Sequence, residues 1–267
     1  MPTPKKPAAT PSNSSRKPLV YGAVVVLAAG LLGFASYKAT SPDDTAKDTT
    51  ATGPAAEVSA DPNEGVYPEL AKLARRDADD KLAIGPADAP VVLIEYADFK
   101  CGYCGKFARD TEPELIEKYV KDGTLRIEWR NFPIFGEESE TAARAAWAAG
   151  QQDRFWEFHG AAYAEGAKEK GFGKDRVKAL AGEAGVKDLD RFMKDLDGDA
   201  ARAAVKKDQE QAYGIGATST PSFLINGRPI AGAQPDETFT RAIETAAEQA
   251  KAKTTGNAGN DAGEPAK

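Results

Sequence analysis

The sequence predicts an α/β fold in which helices cover both faces of a small sheet. Residues 91–97 form an almost continuous apolar run rich in β-branched side chains, which is typical of a strand buried on both faces. The predicted elements follow in the order strand, helix, strand, helical block, two strands and helix. Strands interleaved with helices in this order favour a layered α/β arrangement.

A helix and a second strand are predicted to follow the first strand. The helix is expected to begin at about residue 101 and to end at the pair Asp122-Gly123. Pro113 should interrupt this helix, because proline has no amide hydrogen to donate to the hydrogen-bond ladder. Residues 125–129 alternate apolar and charged side chains, which is the pattern of a strand.

The second half of the chain predicts a helical block, a hairpin and a final helix. Residues from about 136 to 213 are rich in alanine and place apolar side chains three or four positions apart, which indicates helices. Asn226-Gly227 lies between two short apolar runs, which is a strong signal for a β-hairpin. Pro235 and Asp236 then begin a helix that is expected to reach about Gln249.

An amino-terminal transmembrane helix is predicted at residues 19–37, which are uncharged and either apolar or small. The length approaches the roughly 20 residues that cross a bilayer and exceeds the about 7 to 15 of a signal-peptide core. Residues 1–18 carry basic but no acidic side chains, so this end is expected to stay in the cytoplasm. A signal anchor is favoured, with a cleaved secretory signal as the alternative. Either one places the rest of the chain in the extracytoplasmic space, and the anchor makes it a single-pass protein of the cell membrane.

Two stretches of the exported part lack the large apolar side chains that a core needs. Residues 38–66 are expected to be a flexible, disordered linker, and residues 251–267 a disordered tail. Residues 67–250 are left as one domain with one core. The part after residue 37 holds 31 basic and 41 acidic side chains, which argues against binding of nucleic acid.

Cys101 and Cys104 are the two cysteines of the chain and are separated by two residues. A disulfide between them closes a four-residue ring and stabilises a fold by only roughly 2 kcal/mol, so a purely structural bridge is disfavoured. The pair lies at a predicted strand-to-helix junction, where helix amides and the helix dipole stabilise a thiolate. We therefore expect a dithiol/disulfide redox centre, with Cys101 as the exposed nucleophile and Cys104 as the resolving thiol. Zinc would need further ligands, whereas Cu(I) can be held by two thiolates.

Four motifs stand in a fixed order along residues 67–250. They are GPADAPVVLIEYADFKCGYC at 85–104, RNFP at 130–133, FWEFH at 155–159 and GATSTPSFLING at 216–227. Together they resemble the DsbA-like thiol:disulfide oxidoreductases, in particular the membrane-anchored type of actinobacteria. The resemblance implies a thioredoxin fold with an inserted α-helical domain at about 136–213 and no bound cofactor.

The resemblance also implies a function in the cell envelope. A DsbA-like protein introduces disulfides into exported proteins that have reduced cysteines, by thiol-disulfide exchange, here through a CGYC active site. Its reoxidant is implied to be a membrane quinone-linked partner of the DsbB or vitamin K epoxide reductase type. The alternatives are a disulfide reductase or isomerase of the same fold, or a non-enzymatic envelope module that binds peptide or copper. Many relatives carry Pro-His between the cysteines, so Gly102-Tyr103 leaves the low pKa more dependent on helix amides.

The resemblance assigns roles to a loop distant in sequence from the cysteines. Thr220-Pro221 matches the loop that holds a cis proline beside the nucleophilic sulfur in thioredoxin-like folds. Because proline removes an amide, neighbouring backbone groups are expected to be free to pair with an extended substrate. Gly102, Tyr103 and Thr220 are accordingly implied to contact clients, and Tyr103 is expected to be exposed.

Two further titratable residues lie in apolar or aromatic stretches of the sequence. Glu95 lies within the apolar strand; burial would raise its pKa, and the resemblance implies that it exchanges a proton with Cys104. The alternative is an outward-facing glutamate at a sheet edge. His159, the single histidine, lies in an aromatic motif of the helical block and is expected to have a structural role.

Overall fold

The computed structural model describes residues 65–260 of the chain. The predicted cytoplasmic amino terminus 1–18, the anchor 19–37, all but the end of the linker and the last seven residues of the tail lie outside this range. Within residues 65–260, no helix is both long and apolar enough to cross a membrane.

The described residues form a sheet and a series of helices. The strands are β1 (Ala83–Ile84), β2 (Val91–Ala97), β3 (Leu125–Asn131), β4 (Ser222–Ile225) and β5 (Arg228–Ala231). The α-helices are α1 (Pro68–Ala71), α2 (Gly102–Asp110), α3 (Glu112–Leu115), α4 (Glu137–Gly150), α5 (Phe155–Tyr163), α6 (Lys174–Glu183), α7 (Leu189–Asp197), α8 (Asp199–Gly214) and α9 (Asp236–Asn260). A π-helical turn, Ile116–Val120, continues α3, and a 3-10 turn, Lys168–Lys170, follows α5.

The strands form one mixed sheet in the order β1-β3-β2-β4-β5. β2 and β3 are parallel, with Val91 opposite Leu125 and Ala97 opposite Asn131, whereas the other neighbours pair antiparallel. β2 is therefore the central strand, and each of its residues is buried. The prediction of a strand covered on both faces is confirmed.

Alternation of side chains along β2 gives the sheet two apolar faces. Leu93 belongs to a cluster with Phe107 of α2 and Phe239 of α9. The next residue, Ile94, belongs to a different cluster on the opposite face, which includes Ala212 of α8. Helices cover both faces of the sheet, as the order of the elements predicted.

The helices α4–α8 occupy residues 137–214, where the sequence predicts a helical block. Their apolar side chains, among them Phe158, Leu180 and Leu196, form one cluster with Cys101 and Cys104. The helical block is therefore packed against the carboxyl end of β2, which the two cysteines follow in the chain.

The long helix after β2 is broken where the sequence predicts. α2 ends at Asp110, α3 begins at Glu112, and Pro113 lies in the first turn of α3. Proline is tolerated there because the first amides of a helix have no partner within the helix. The break starts a new helix turn at Glu112, which is buried.

The hairpin between β4 and β5 turns at Asn226-Gly227, as predicted. Both residues have a positive φ, 44° and 89°, which is the backbone geometry that a tight two-residue hairpin turn requires. A Cβ on Gly227 would lie 2.4 Å from the carbonyl oxygen of Tyr67, so the close approach of α1 also requires glycine.

The carboxyl-terminal helix is longer than the sequence indicated. α9 continues to Asn260 instead of ending near Gln249, so the disordered tail predicted at 251–267 begins too early. Residues 250–253 are alanine and lysine, which are good helix formers. Extension of an existing helix also avoids the cost of nucleation, so weak propensity is enough.

We expect Phe107→Ala to lower the free energy of unfolding by about 3 to 5 kcal/mol, because it empties a fully buried site between the sheet and α9. The Phe107 ring centroid lies 4.5 Å from that of Phe223 and 5.0 Å from that of Phe239. Urea denaturation measures the change. The exposed Phe135 provides the control, whose replacement by alanine should change stability by less than about 0.5 kcal/mol. Equal effects of the two substitutions would contradict this packing.

Candidate active site

Cys101 occupies the N-cap of α2, directly after the turn that follows β2. Its Sγ accepts a hydrogen bond from the backbone N–H of Cys104 at 3.4 Å and donates one to the carbonyl oxygen of Thr220 at 3.2 Å. Both cysteines are free thiols in this structure. The sequence-based expectation that Cys101 lies at a strand-to-helix junction is confirmed.

The hydrogen bonds that the Cys101 sulfur accepts favour its charged form. The pKa of the Cys101 thiol is lowered from about 9 to about 6, chiefly by the hydrogen bond from Cys104, with further contributions from Thr220 and from the amides of Cys104 and Tyr103. Partial burial opposes this shift without reversing it. At neutral pH the sulfur of Cys101 is therefore mainly a thiolate.

Cys104 lies in the opposite environment. It is fully buried, and burial raises its pKa well above the usual range, as do the hydrogen bond to Cys101 and the charges of Cys101 and Glu95. Cys104 is therefore a protonated thiol under the conditions in which Cys101 is ionised. Neighbouring groups whose pKa values are driven apart are poised for different roles.

The expectation that Cys101 is exposed is wrong. The residue is 6% exposed, because the loop at Thr220 contacts its sulfur and the helical block packs beside it. It lines a cavity of about 220 Å³ that is bordered by Gly102, Arg109, Tyr163 and Lys168. Tyr103, in contrast, is 69% exposed, as expected.

The Thr220-Pro221 peptide bond is cis, as the resemblance implied. The prediction that the backbone groups of this loop are free to pair with a substrate is wrong for the Pro221 oxygen, and it is wrong for the Thr220 oxygen as long as Cys101 carries its hydrogen. The Thr220 oxygen accepts the Cys101 thiol, and the Pro221 oxygen accepts the amide of Gly232 at 2.9 Å. The Thr220 oxygen loses this donor whenever Cys101 is ionised or in a disulfide, since the sulfur then carries no hydrogen.

Glu95 is fully buried on the central strand, so its placement at a sheet edge is wrong and its expected burial is confirmed. Among the described residues, neither of its carboxyl oxygens has a hydrogen-bond partner. Burial raises the pKa of Glu95 well above its usual range, and the charges of Glu112 and Cys101 raise it further. Glu95 is therefore held as a neutral acid close to the cysteines.

Sequence reasoning missed Glu112, which is 3% exposed. Burial raises its pKa to about 8. The available signal was its spacing: Glu112 follows Cys104 by eight positions and precedes the buried Leu115 by three, so it lies on the apolar face of the interrupted helix. An acid in the first turn of a helix is normally read as a solvated side chain that complements the dipole.

His159 has the structural position that the sequence predicted. Its ring centroid lies 4.9 Å from that of Tyr163 and 5.1 Å from that of Trp129, in the core of the helical block. Burial lowers the pKa of His159 to about 3, so the imidazole is neutral. Its Nδ1 lies 3.6 Å from Oε2 of Glu112. Within residues 65–260, no group of three or more His, Cys, Asp or Glu side chains is placed to hold a metal ion.

Comparisons with known proteins identify the family. The family described as Thioredoxin matches residues 77–245. The probable disulfide bond formation protein D of Bacillus cereus is 32% identical over 150 residues, which cover 54% of this chain and 69% of that protein. The crystal structure of oxidised BdbD from Bacillus subtilis superposes with a TM-score of 0.59 at 22% identity, over 64% of this chain and 95% of that one. The chain belongs to the thioredoxin family and is a DsbA-like protein-disulfide oxidoreductase.

A relative of another kind shares the same domain. The Na(+)/H(+) antiporter NhaA 1 of Salinispora arenicola is 33% identical over 174 residues, which cover 64% of this chain. The match spans only 25% of the antiporter, so it concerns one part of that larger protein.

We expect the reduced protein to show one thiolate transition near pH 6, measured by the ultraviolet absorbance of the thiolate, because Cys101 ionises far below Cys104. Cys101→Ala should remove this transition. Cys104→Ala should move it toward higher pH, since the hydrogen bond from Cys104 is the largest cause of the shift. A transition near pH 9 in the unchanged protein would contradict the site geometry.

Proposed function

We propose that the protein introduces disulfides into exported proteins through a disulfide between Cys101 and Cys104. The observation that supports this direction is the difference between the two thiols, one stabilised as an anion and the other kept protonated. A stabilised thiolate is a good leaving group, and its stability favours the reduced form of the protein. The disulfide form is correspondingly a stronger oxidant.

In the first exchange, a client thiolate attacks the Cys101 sulfur of the disulfide. A bond forms between the client sulfur and Cys101, and the bond between Cys101 and Cys104 breaks. Cys104 leaves with the electron pair and, because its pKa is raised, takes up a proton. Glu95 is a buried acid that holds its proton, and the ionisation of Glu95 and that of Cys104 influence each other, so we assign Glu95 as the proton donor.

In the second exchange, another client thiolate attacks the client sulfur of the mixed disulfide. The client disulfide forms, and Cys101 leaves with the electron pair as a thiolate that the Cys104 amide stabilises. The client has lost two electrons and the protein holds them as a dithiol. Reoxidation then requires an electron acceptor, for which we propose a membrane quinone-linked partner of the DsbB or vitamin K epoxide reductase type.

The client is proposed to bind as an extended segment beside the cis proline. In the disulfide form the Thr220 oxygen no longer receives the Cys101 hydrogen, so a client amide can donate to it. Gly102 and Tyr103 are exposed beside the sulfur, and the aromatic ring of Tyr103 offers an apolar contact. The segment 19–37 is proposed to hold this domain on the outer side of the cell membrane.

We expect the oxidised protein to restore activity to a reduced, unfolded protein that needs disulfides, with no added oxidant, up to one disulfide per molecule. Recovery of ribonuclease A activity measures this. Cys101→Ala should abolish recovery. Cys104→Ala, first charged with a disulfide between Cys101 and glutathione, should release glutathione when a client thiolate attacks and should hold the client in a mixed disulfide with Cys101. Reduction of insulin without any oxidation of ribonuclease would identify the protein as a reductase and contradict the proposal.

We expect Glu95→Gln to slow reduction of the disulfide by dithiothreitol by roughly 10²-fold, the lower end for loss of a general acid. It should also raise stability above pH 5. A buried acid with a raised pKa is protonated when folded and ionised when unfolded, so stability falls as pH rises from about 4.5 toward the folded pKa. Stopped-flow fluorescence and urea denaturation at pH 4 and pH 8 measure the two effects. An unchanged rate across this pH range would exclude Glu95 as the donor.

A further inference from the structure

The cavity of about 220 Å³ beside the active site has no role in the exchange steps described above. Cys101 lines it, together with residues of α2 and of the segment that follows α5. Its volume is that of several water molecules, so it has room for a short polar side chain. Thr220 does not line the cavity, so a client that pairs with the Thr220 oxygen leaves it open for another part of the same molecule.

Two glycines of α2 form one side of this cavity. Gly102 and Gly105 both line it, and their spacing of three positions puts them on the same side of the helix. A Cβ on Gly105 would lie 2.9 Å from Nη1 of Arg109 and 3.3 Å from Cδ1 of Tyr163. A larger residue at this position would therefore have to displace the guanidinium or the ring, and the glycine keeps the space open.

Lys168 places an ammonium group against the first turn of α2. Its Nζ lies 3.4 Å from the position that a Cβ on Gly102 would take. The turn that carries Lys168 is anchored, because Ala167 is buried and its carbonyl oxygen accepts the amide of Lys170 at 3.2 Å. Lys168 forms no hydrogen bond or ion pair within the described part of the chain, so a ligand can supply its counter-charge.

Arg109 is a second cation at the wall of the cavity. It follows Gly102 by seven positions, about two helical turns, and so lies on the same side of α2. Its Nη1 donates to the carbonyl oxygen of Tyr163 at 2.7 Å, which fixes the guanidinium at the wall. A guanidinium has several further N–H donors, and among residues 65–260 Arg109 forms no ion pair. The adjacent Asp110 is paired with Lys106 at 2.6 Å.

Two exposed acids, Glu165 and Glu169, also line the cavity, so its rim is not uniformly positive. Neither of them forms an ion pair with Lys168 or Arg109 in the described structure. The two cations, in contrast, are placed against the glycines that follow Cys101. The part of the cavity next to these glycines is therefore positively charged.

We propose that this cavity is a subsite for a carboxylate carried by the molecule whose thiolate attacks Cys101. The proposal rests on the proposed attack at Cys101 and adds a substrate preference to it. Lys168 and Arg109 donate charge-assisted hydrogen bonds to the carboxylate, which holds the thiolate near the sulfur that it attacks. The carboxylate belongs either to an acidic residue beside the client cysteine or to a small acidic thiol.

The step that this subsite favours is the first exchange. The incoming sulfur bonds to Cys101, the bond between Cys101 and Cys104 breaks, and Cys104 leaves with the electron pair and takes up a proton. Binding of the carboxylate precedes this step, so the preference appears in its second-order rate constant. Because both cations are exposed, the effect is modest and is screened by salt.

The test is reduction of the full-chain disulfide by blocked tripeptides at low ionic strength, followed by tryptophan fluorescence. The acidic peptides Asp-Cys-Gly and Gly-Cys-Asp are compared with the neutral Gly-Cys-Gly, and each rate constant is expressed per thiolate, because a nearby carboxylate raises the pKa of a thiol. The better acidic peptide should react about threefold to fivefold faster than the neutral one, and about 0.5 M salt should remove the difference. The chain has a net charge of -6, so its overall field opposes this preference.

Two neighbouring lysines separate the subsite from the general charge of the protein. Lys168→Gln should reduce the preference to below about 1.5-fold and leave the neutral peptide within about twofold of its original rate constant. Lys168→Glu should reverse the order, so that the neutral peptide reacts faster. Lys170 is exposed in the same 3-10 turn but does not line the cavity, so Lys170→Gln is the matched control and should retain the preference.

Glutathione distinguishes the two sources of the carboxylate. It is a small thiol with a carboxylate at each end, and its diethyl ester has none. If the subsite accepts small acidic thiols, glutathione should react faster than its ester by a similar factor, and Lys168→Gln should remove the difference. If it accepts only client side chains, the tripeptides alone should show the preference.

Three results would overturn the proposal. They are equal rate constants for the acidic and neutral peptides in the unchanged protein, a preference that survives in Lys168→Gln, and a preference that Lys170→Gln removes as fully as Lys168→Gln does. The peptide reaction does not depend on the net direction of electron flow. If the protein fails to oxidise ribonuclease but shows the preference that depends on Lys168, the proposed direction is wrong and the subsite stands. If ribonuclease is oxidised and no such preference is found, only the subsite is lost.

Discussion

The stabilisation of one sulfur anion at the start of α2 is the interaction on which the rest of the site depends. The central strand β2 sets the position of Cys101, and the amide of Cys104 directs a hydrogen bond to its sulfur. The loop at Thr220 then limits how that sulfur can be approached. If α2 began one turn later, both cysteines would be ordinary buried thiols, and the difference in pKa that favours exchange at Cys101 would disappear.

The helical block buries groups that lie next to this charged sulfur. Its packing against the end of the sheet encloses Cys104, and it brings His159 to Glu112. Charge is thereby favoured at one sulfur, which borders a cavity, while protons are retained on groups beneath the helices. The fold therefore combines one ionised sulfur with buried acids that keep their protons.

Features that depend on local sequence were predictable, and features that depend on distant contacts were not. The apolar run of β2, the break at Pro113 and the Asn226-Gly227 turn each follow from the properties of adjacent residues. The burial of Cys101 depends on a loop 119 positions away, and that of Glu112 on the docking of α5. The cis proline was predicted only through resemblance, because a local sequence contains little information on the isomer. The extent of α9 was missed because propensity alone fixes helix ends poorly.

The redox equilibrium between the Cys101–Cys104 pair and glutathione, measured at pH 7, tests the central claim most directly. If the Cys101 thiolate is stabilised by the start of α2, the potential lies above the about −270 mV of thioredoxin, toward the about −120 mV of DsbA. A potential at or below about −270 mV would mean that the reduced form gains no such stabilisation, and would contradict the account given by the structure.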